Sequence, residues 1–211
     1  MPETEFATTL VVLDLTGIFV FAVAGALVAV RKNLDLFAAL VLGGVTGLGG
    51  GFIRDVLIGA TPPAALADWR YLLVPVAAGL LTFGFHPTIG RLERLVTLLD
   101  AFGLALFCVT GALKAVDYGL GPLPAALMGM LTGIGGGIMR DLLAARVPVI
   151  FEGVLYATPA LAGAAVAVVL DRADVPLPAV AAAGFSVCLG WRLLALVRGW
   201  QAPMPKGPAN V

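Results

Sequence analysis

TGLGGGFIRDVL, at residues 46–57, occurs a second time as TGIGGGIMRDLL, at residues 132–143. The two copies are offset by 86 residues (140 − 54, from their arginines). The same offset aligns further identical residues without a gap: Asp14 with Asp100, Gly17 with Gly103, Phe21 with Phe107, Gly25-Ala26-Leu27 with Gly111-Ala112-Leu113, Gly43 with Gly129, and Pro62 with Pro148. Agreement in register over this length indicates a duplicated unit followed by an unpaired tail.

The composition is that of a chain surrounded by lipid. Of the 211 residues, 60% are hydrophobic and only 12% are charged, whereas about a quarter are charged in a soluble domain. The net charge is zero and no basic run is present, which excludes a nucleic-acid partner. The start of the chain, residues 1–5, is acidic, so the first apolar span is predicted to remain as a helix and not to be cleaved as a signal peptide.

The apolar spans predict an all-α membrane protein with seven transmembrane helices, since a helix crosses the bilayer with about 20 apolar residues. The spans lie near residues 8–30, 36–59, 71–89, 93–116, 123–145, 152–170 and 176–198. Repeat one (about 8–89) and repeat two (about 93–170) hold three spans each. An odd number of spans inverts the second repeat in the membrane, as in many transport proteins. A single transmembrane domain over residues 1–200 and a disordered tail over 201–211 complete the prediction.

Basic residues predict the orientation, since cytoplasmic loops carry more of them. With the N-terminus outside and the C-terminus cytoplasmic, Arg70 and Arg172 lie outside. The inside segments then hold the larger group: Arg31, Lys32, Arg91, Arg94, Arg146, Arg198 and Lys206.

The glycine triplets Gly49, Gly50, Gly51 and Gly135, Gly136, Gly137 lie inside predicted spans. Glycine costs about 1 kcal/mol against alanine in a helix, so three together favour an unwound or kinked segment. Freed carbonyls are tolerated only against protein or water, which predicts a permeation or binding site between the two triplets. The alternative is that the glycines only let helices approach closely. Thr46 and Thr132 precede the triplets and either bond back to their own helix or line the pore.

Four charges, Arg54, Asp55, Arg140 and Asp141, follow the triplets, and an ionised residue in lipid needs a partner. Neighbouring residues on a helix diverge by about 100°, so each arginine is expected to pair elsewhere. We hypothesise pairs between the two repeats: Arg54 with Asp141 and Arg140 with Asp55, or the arginines with Asp14 and Asp100. These six residues are interpreted as bracing charges, with ion coordination by Asp14 or Asp100 as a weaker alternative.

Lys114 breaks the symmetry of the repeats, because its counterpart is Val28. It either snorkels to the interface or gates a cation path. The only histidine, His86, stands before a proline at the end of a span. The sequence predicts no enzyme, no metal site and no cofactor, since it shows neither a metal-ligand cluster nor a catalytic triad.

The doubled T-G-x-G-G-G-x-x-R-D motif, the paired Asp14 and Asp100 and the plan of three, three and one spans resemble a prokaryotic member of the trimeric intracellular cation channel (TRIC) family. The resemblance covers residues 10–200. It implies a homotrimer with one pore per subunit, permeable to K⁺ and less selectively to Na⁺. Helices two and five, kinked at their glycine triplets, would line the pore, and Lys114 would gate it. The resemblance also implies the bacterial inner membrane, with membrane lipid as a partner.

Two rival functions remain open. Some bacterial relatives with this motif are described as glycine transporters, and inverted repeats suit a secondary transporter of a small amino acid equally well. A membrane scaffold without transport is the third class, but it would not need two matched glycine breaks.

Overall fold

A computed structural model of the chain describes residues 3–86 and 92–203, and these residues fold into α-helices joined by short loops. The helices are α1 Glu3–Arg31, α2 Leu36–Leu57, the short α3 Ala64–Ala67, α4 Trp69–Phe85, α5 Leu92–Asp117, α6 Pro122–Leu143, α7 Ala157–Arg172 and α8 Leu177–Arg198. A 3₁₀ turn, Val149–Phe151, precedes α7. No strand is present in the described ranges.

Five of these helices, α1, α2, α5, α6 and α8, are long and apolar enough to cross a membrane. The apolar helices α4 and α7 are shorter, with 17 and 16 residues. Large apolar side chains also lie on the outside of the molecule, among them Phe37 at 75% exposure and Val197 at 84%. So much exposed apolar surface is unfavourable in water, so the chain is an integral membrane protein.

Local sequence explains where several helices begin and end. Asp35 caps α2, because its carboxylate accepts a hydrogen bond from the Ala38 amide at 2.8 Å. Pro122 occupies the first position of α6, where its missing N–H costs nothing. Gly199, with a φ of 64°, ends α8 in the left-handed conformation.

The predicted sixth span is wrong at its start, since α7 begins at Ala157 and not near residue 152. Gly153 has a φ of 76°, which interrupts helical backbone. The predicted disorder is also wrong where the tail begins: Gln201 pairs with Val154 in an isolated bridge, and the Ala202 amide donates to the Gly153 carbonyl at 2.6 Å. Residues 204–211 of the predicted tail, and the predicted end of the third span at 87–89, lie outside the described residues.

The corresponding helices of the two repeats pack together in opposite directions. Near one end of the α1–α5 pair, Arg31 bonds to Glu93 at 3.2 Å, and near its middle the Phe21 and Phe107 rings are 5.3 Å apart. Helices α2 and α6 pack on each other in the same way, while α4 covers α1 and α2, and α7 covers α5 and α6. Helix α8 packs on α5 and α7. This arrangement places residues 46–57 and 132–143 face to face in the centre of the molecule.

Candidate functional site

Helices α2 and α6 meet backbone to backbone at their glycines. A Cβ on Gly50 would overlap the Thr132 carbonyl, and a Cβ on Gly136 would overlap the Thr46 carbonyl. Crosswise contacts between these four residues show that α2 and α6 run antiparallel here. We call Gly50, Gly136 and the facing Thr46 and Thr132 carbonyls the glycine contact. It lies at the centre of the bundle, where only glycine permits this approach.

The expected unwound segment is wrong, because α2 and α6 are continuous helices through both triplets. The glycines instead serve the alternative role, close helix packing, which compensates their low helix propensity. Thr46 and Thr132 are fully buried, and each hydroxyl donates back to a carbonyl of its own helix, on Leu42 and Met128 respectively. Of the two expected roles of the threonines, back-bonding is therefore the observed one. A bend at the triplets stays a prediction.

The first cluster, which consists of Asp14, Arg54, Asp55 and Lys114, lies on one side of the glycine contact. Arg54 donates to both carboxylate oxygens of Asp14, at 3.2 and 3.1 Å, and its Nε donates to Asp55 Oδ1 at 2.8 Å. Lys114 Nζ, from the other repeat, donates to the same Asp55 oxygen at 2.8 Å. The second oxygen of Asp55 accepts the Ala64 amide at 2.9 Å. The four side chains therefore carry two positive and two negative charges, all of them hydrogen-bonded.

The second cluster, which consists of Asp100, Arg140 and Asp141, lies on the other side. Arg140 Nη1 donates to Asp100 at 2.7 Å, while its Nε and Nη2 donate to Asp141 at 3.0 and 3.3 Å. Asp141 also accepts the Val149 amide at 3.2 Å. The second cluster thus repeats the first, except that no side chain of the described residues takes the place of Lys114, and the three groups sum to a charge of −1.

The hypothesis of pairs between the repeats is wrong for the arginines, since Arg54 pairs with Asp14 and Arg140 pairs with Asp100, each within its own repeat. The pairs of Arg54 with Asp141 and of Arg140 with Asp55 are not formed. The expectation that neighbouring Arg and Asp do not pair is wrong for both repeats. Each guanidinium presents several donors in a planar fork, so it reaches the carboxylate of its neighbour through Nε and still spans to the next helix.

Lys114 does not snorkel to the interface. Its side chain is 17% exposed and is held by Asp55, and so links the two repeats. Its counterpart Val28 is 1% exposed and packs with the apolar side chains Leu27, Leu92 and Val96.

Two cavities approach the clusters from opposite ends of the molecule. The first cavity, of about 220 Å³, is lined by Asp14, Tyr71, Lys114 and Asp117, among others. Beyond it, a space of about 10 Å³ borders Gly47, Gly51, Arg54 and Asp55, which is near the size of one water molecule.

The second cavity, of about 160 Å³, is lined by Asp100, Arg140, Arg146, Glu152 and Arg192, among others. The glycine contact lies between the two cavities, so this structure shows a polar approach from each end with tightly packed backbone in the middle.

Arg192 on α8 is a site residue that the sequence reasoning missed. It is 2% exposed, its Nη1 donates to the Leu155 carbonyl at 2.7 Å, and its guanidinium lies 5.0 Å from the centroid of the Tyr156 ring. An arginine within an apolar span was the available signal, since such residues are expensive and usually functional. The two cysteines, Cys108 and Cys188, are free and buried. His, Cys, Asp and Glu side chains of residues 3–86 and 92–203 form no group that could hold a metal ion.

Comparison with known proteins agrees with this architecture. The family model described as "Glycine transporter" matches the chain twice, over residues 11–87 and 97–172, as expected for a duplicated unit. The solved structure of a trimeric intracellular cation channel orthologue from Rhodobacter sphaeroides is 43% identical in sequence, with a TM-score of 0.87 over 92% of this chain and 100% of that one. The chain belongs to the TRIC family.

Bacterial membrane proteins with UPF0126 names are also similar to this chain in sequence. The TRIC chain described here is 53% identical to a UPF0126 membrane protein of Deinococcus radiodurans over 72% of each chain. It is 39% identical to the UPF0126 inner membrane protein YadS of Escherichia coli, over 92% of this chain and 93% of YadS. The predicted resemblance to TRIC channels, made from the doubled motif, is therefore confirmed.

Proposed function

We propose that the protein is a K⁺-permeable channel for monovalent cations, with one pore per subunit between α2 and α6. The observation that carries the proposal is the pair of carboxylate clusters that flank the glycine contact on the two antiparallel helices. The match to the Rhodobacter sphaeroides cation channel orthologue along that protein's full length supports the same function.

The polar groups along this path favour a cation. Asp14 borders the first cavity and Asp100 borders the second, so a carboxylate meets an ion that enters from either end. The Thr46 and Thr132 carbonyls face the opposite helix in the middle. Oxygen atoms therefore lie at both ends and in the middle of the path, where they can replace the water molecules that an alkali cation loses from its hydration shell.

In this proposal the two repeats are inverted and three helices of each repeat cross the membrane, α1, α2 and α4 in the first and α5, α6 and α7 in the second, with α8 as a seventh span. The antiparallel packing of α1 on α5 and of α2 on α6 supports the inversion. Helices α4 and α7 are short for the hydrocarbon thickness, and a short span is accommodated by local thinning of the bilayer or by assembly with other subunits.

In this proposal the close contact of α2 and α6 is the closed state of the pore, and Lys114 acts as its gate. The ammonium of Lys114 neutralises Asp55 at 2.8 Å, just beside the path. The ammonium group ends a flexible four-carbon side chain and can move away from Asp55. Without it the first cluster has a charge of −1, which attracts a cation. A lysine that moves in the membrane field also makes opening depend on voltage.

A homotrimer in the bacterial inner membrane, with its N-terminus outside and membrane lipid around it, completes the proposal. The name of the solved relative describes a trimeric channel, and the name of YadS places that protein in the inner membrane. Arg31 and Arg146 share the end of the molecule that holds the second cavity, which supports a cytoplasmic location for this end.

Single-channel recording tests the proposal. The purified protein, reconstituted in a planar bilayer with asymmetric KCl, is expected to show discrete openings that reverse near the K⁺ equilibrium potential. Lys114→Ala is expected to raise the open probability at voltages where the wild type is mostly closed, without changing the reversal potential. Absence of openings from wild-type protein that elutes as a single folded species would contradict the channel.

The second candidate is a secondary transporter of a small amino acid such as glycine, which the description of the matching family model favours. The two cavities on opposite sides of a closed centre also suit alternating access. Uptake of radiolabelled glycine into proteoliposomes separates the two functions. A carrier shows saturable uptake and no unitary conductance, whereas a channel shows the reverse.

A further inference from the structure

Helix α8 brings a buried positive charge to the second cluster. Arg192 is almost fully buried, yet its only hydrogen bond among the described residues is the one to the Leu155 carbonyl, and its Nε has no partner in that part of the chain. Burying a guanidinium costs several kcal/mol unless negative charge compensates it. Neither a carbonyl nor the face of the Tyr156 ring supplies a full counter-charge.

The compensating charge is available in the second cluster. Arg192 lines the second cavity together with Asp100 and Arg140, and the second cluster has a net charge of −1 without it. The first cluster contains the same two carboxylates and one arginine, and there Lys114 brings the sum to zero. Val28 stands at the position of Lys114 and brings no charge to the second cluster. The other charged residues of the cavity, Arg31 with Glu93 and Arg146 with Glu152, sum to zero, so Arg192 is the cation that balances this cluster.

The two balancing charges differ in how they are held. Lys114 bonds directly to a carboxylate oxygen and ends a flexible chain. The Arg192 guanidinium is fixed by the Leu155 carbonyl at 2.7 Å and by the Tyr156 ring at 5.0 Å, and these two residues immediately precede α7. One charge is therefore free to leave its carboxylate, while the other is anchored to the backbone.

We propose that Arg192 is the fixed counter-charge of the second cluster and sets the electrostatic potential that a cation meets on entering from that end. The inference rests on the proposed channel function. In this arrangement Lys114 controls how often the pore opens, whereas Arg192 controls how much current flows in each direction once it is open. Helix α8, which has no counterpart in the repeats, thereby supplies the positive charge that balances the second cluster.

Current–voltage curves of open channels test the inference. The variants are Arg192→Gln, which removes the charge, Arg192→Lys, which keeps it, and Arg198→Gln, which removes an exposed charge two turns further along α8. At low ionic strength, where the Debye length is about 30 Å, Arg192→Gln is expected to raise K⁺ current entering from the second cavity by at least about twofold relative to the opposite direction. Arg192→Lys is expected to keep the wild-type rectification, and Arg198→Gln, which removes a charge that is exposed to solvent, is expected to shift it less than Arg192→Gln does.

Salt dependence separates this charge effect from a change of structure. In molar KCl the Debye length is about 3 Å, so the rectification of Arg192→Gln should return towards the wild-type value. A distorted pore would keep its altered curve at every salt concentration. An open-channel curve of folded Arg192→Gln that matches the wild type at low salt would overturn the inference.

Asp100→Asn supplies an independent variant if Arg192→Gln does not fold. It removes a negative charge from the same cavity, so it should shift the rectification in the direction opposite to that expected for Arg192→Gln. An unchanged curve for Asp100→Asn would also overturn the inference. A wild-type protein that carries no K⁺ current at all would contradict the channel itself, and is thereby distinguished from failure of the role of Arg192.

Discussion

At the scale of single residues, the buried ion pairs differ in kind from those on the surface. Arg54 and Asp14 have side chains 1% and 6% exposed, whereas Arg31 and Glu93 are 36% and 69% exposed. Removing one partner of a buried pair leaves an uncompensated charge in a medium that solvates it poorly. An exposed pair contributes little, because solvent screens it and the long side chains lose entropy on pairing.

Asp14→Asn and Glu93→Gln therefore form a matched test. Asp14→Asn is expected to destabilise the protein by about 3 kcal/mol, at the lower end of the range for a broken buried pair because Arg54 keeps its bond to Asp55. Glu93→Gln is expected to cost less than about 1 kcal/mol. Thermal unfolding in detergent, followed by loss of the folded elution peak, measures both. Equal shifts in the two variants would show that burial does not control the strength of these pairs.

At the scale of helices, the glycine contact allows a direct steric test. A Cβ on Gly50 would overlap the Thr132 carbonyl oxygen, which is backbone and has no rotamer that relieves the clash, while a Cβ on Gly44 would meet nothing within 4 Å. Gly50→Ala is expected to cost roughly 1 to 3 kcal/mol by overpacking and to change K⁺ conductance by pushing α2 and α6 apart. Gly44→Ala should be neutral or stabilising by up to about 1 kcal/mol, because alanine favours the helix.

Gly136→Ala should reproduce the effect of Gly50→Ala, since its Cβ would overlap the Thr46 carbonyl. Unfolding midpoints and single-channel conductance of the three variants provide the comparison. If Gly44→Ala and Gly50→Ala were equally stable and equally conductive, α2 and α6 would not be in the close contact seen here.

The sequence predicts the helices because hydrophobicity and turn residues act locally. Helix α2 begins at its predicted residue and α8 ends at its predicted residue, and the doubled motif marks the helices that meet in the centre. The start of α7 is harder to predict, because residues 154–156 are apolar enough to continue a helix. The left-handed backbone at Gly153 and the Val154–Gln201 bridge, a long-range contact, interrupt it.

The sequence predicts the members of the clusters better than their partners. A charged residue in an apolar span, such as Arg54 or Arg140, is recognised from the sequence as a site candidate. Its hydrogen-bond partner, however, depends on the reach of its side chain and on which helices are in contact. The Arg54–Asp55 bond requires the guanidinium to turn along its own helix. The Lys114–Asp55 bond requires the end of α5 to come within side-chain reach of α2. The glycine triplets were ambiguous for a similar reason, since both unwinding and close packing suit the same residues.

At the scale of the whole molecule, one chain contains every part of the proposed path. Both clusters, both cavities and the glycine contact are formed by residues of a single subunit, and none of the contacts described needs a second copy. Under the proposed function, a trimer built from such chains has three parallel paths, each with its own Lys114. A channel on the three-fold axis would instead need residues of all three subunits to line a common pore.

Mixed trimers separate these two arrangements. Subunits carrying Gly50→Ala, once shown to alter the unitary current, are combined with wild-type subunits that bear a different affinity tag, and trimers of each composition are purified. With one pore per subunit, each trimer is expected to show current steps of only two sizes, wild-type and variant, in the ratio of its subunits. The reason is that both helices of the contact between α2 and α6 belong to the same chain.

Trimers that combine wild-type with Gly44→Ala subunits provide the control and should show one step size. Intermediate step sizes that depend on composition would mean that the subunits share one pore, and the path between α2 and α6 would then not be the conducting one.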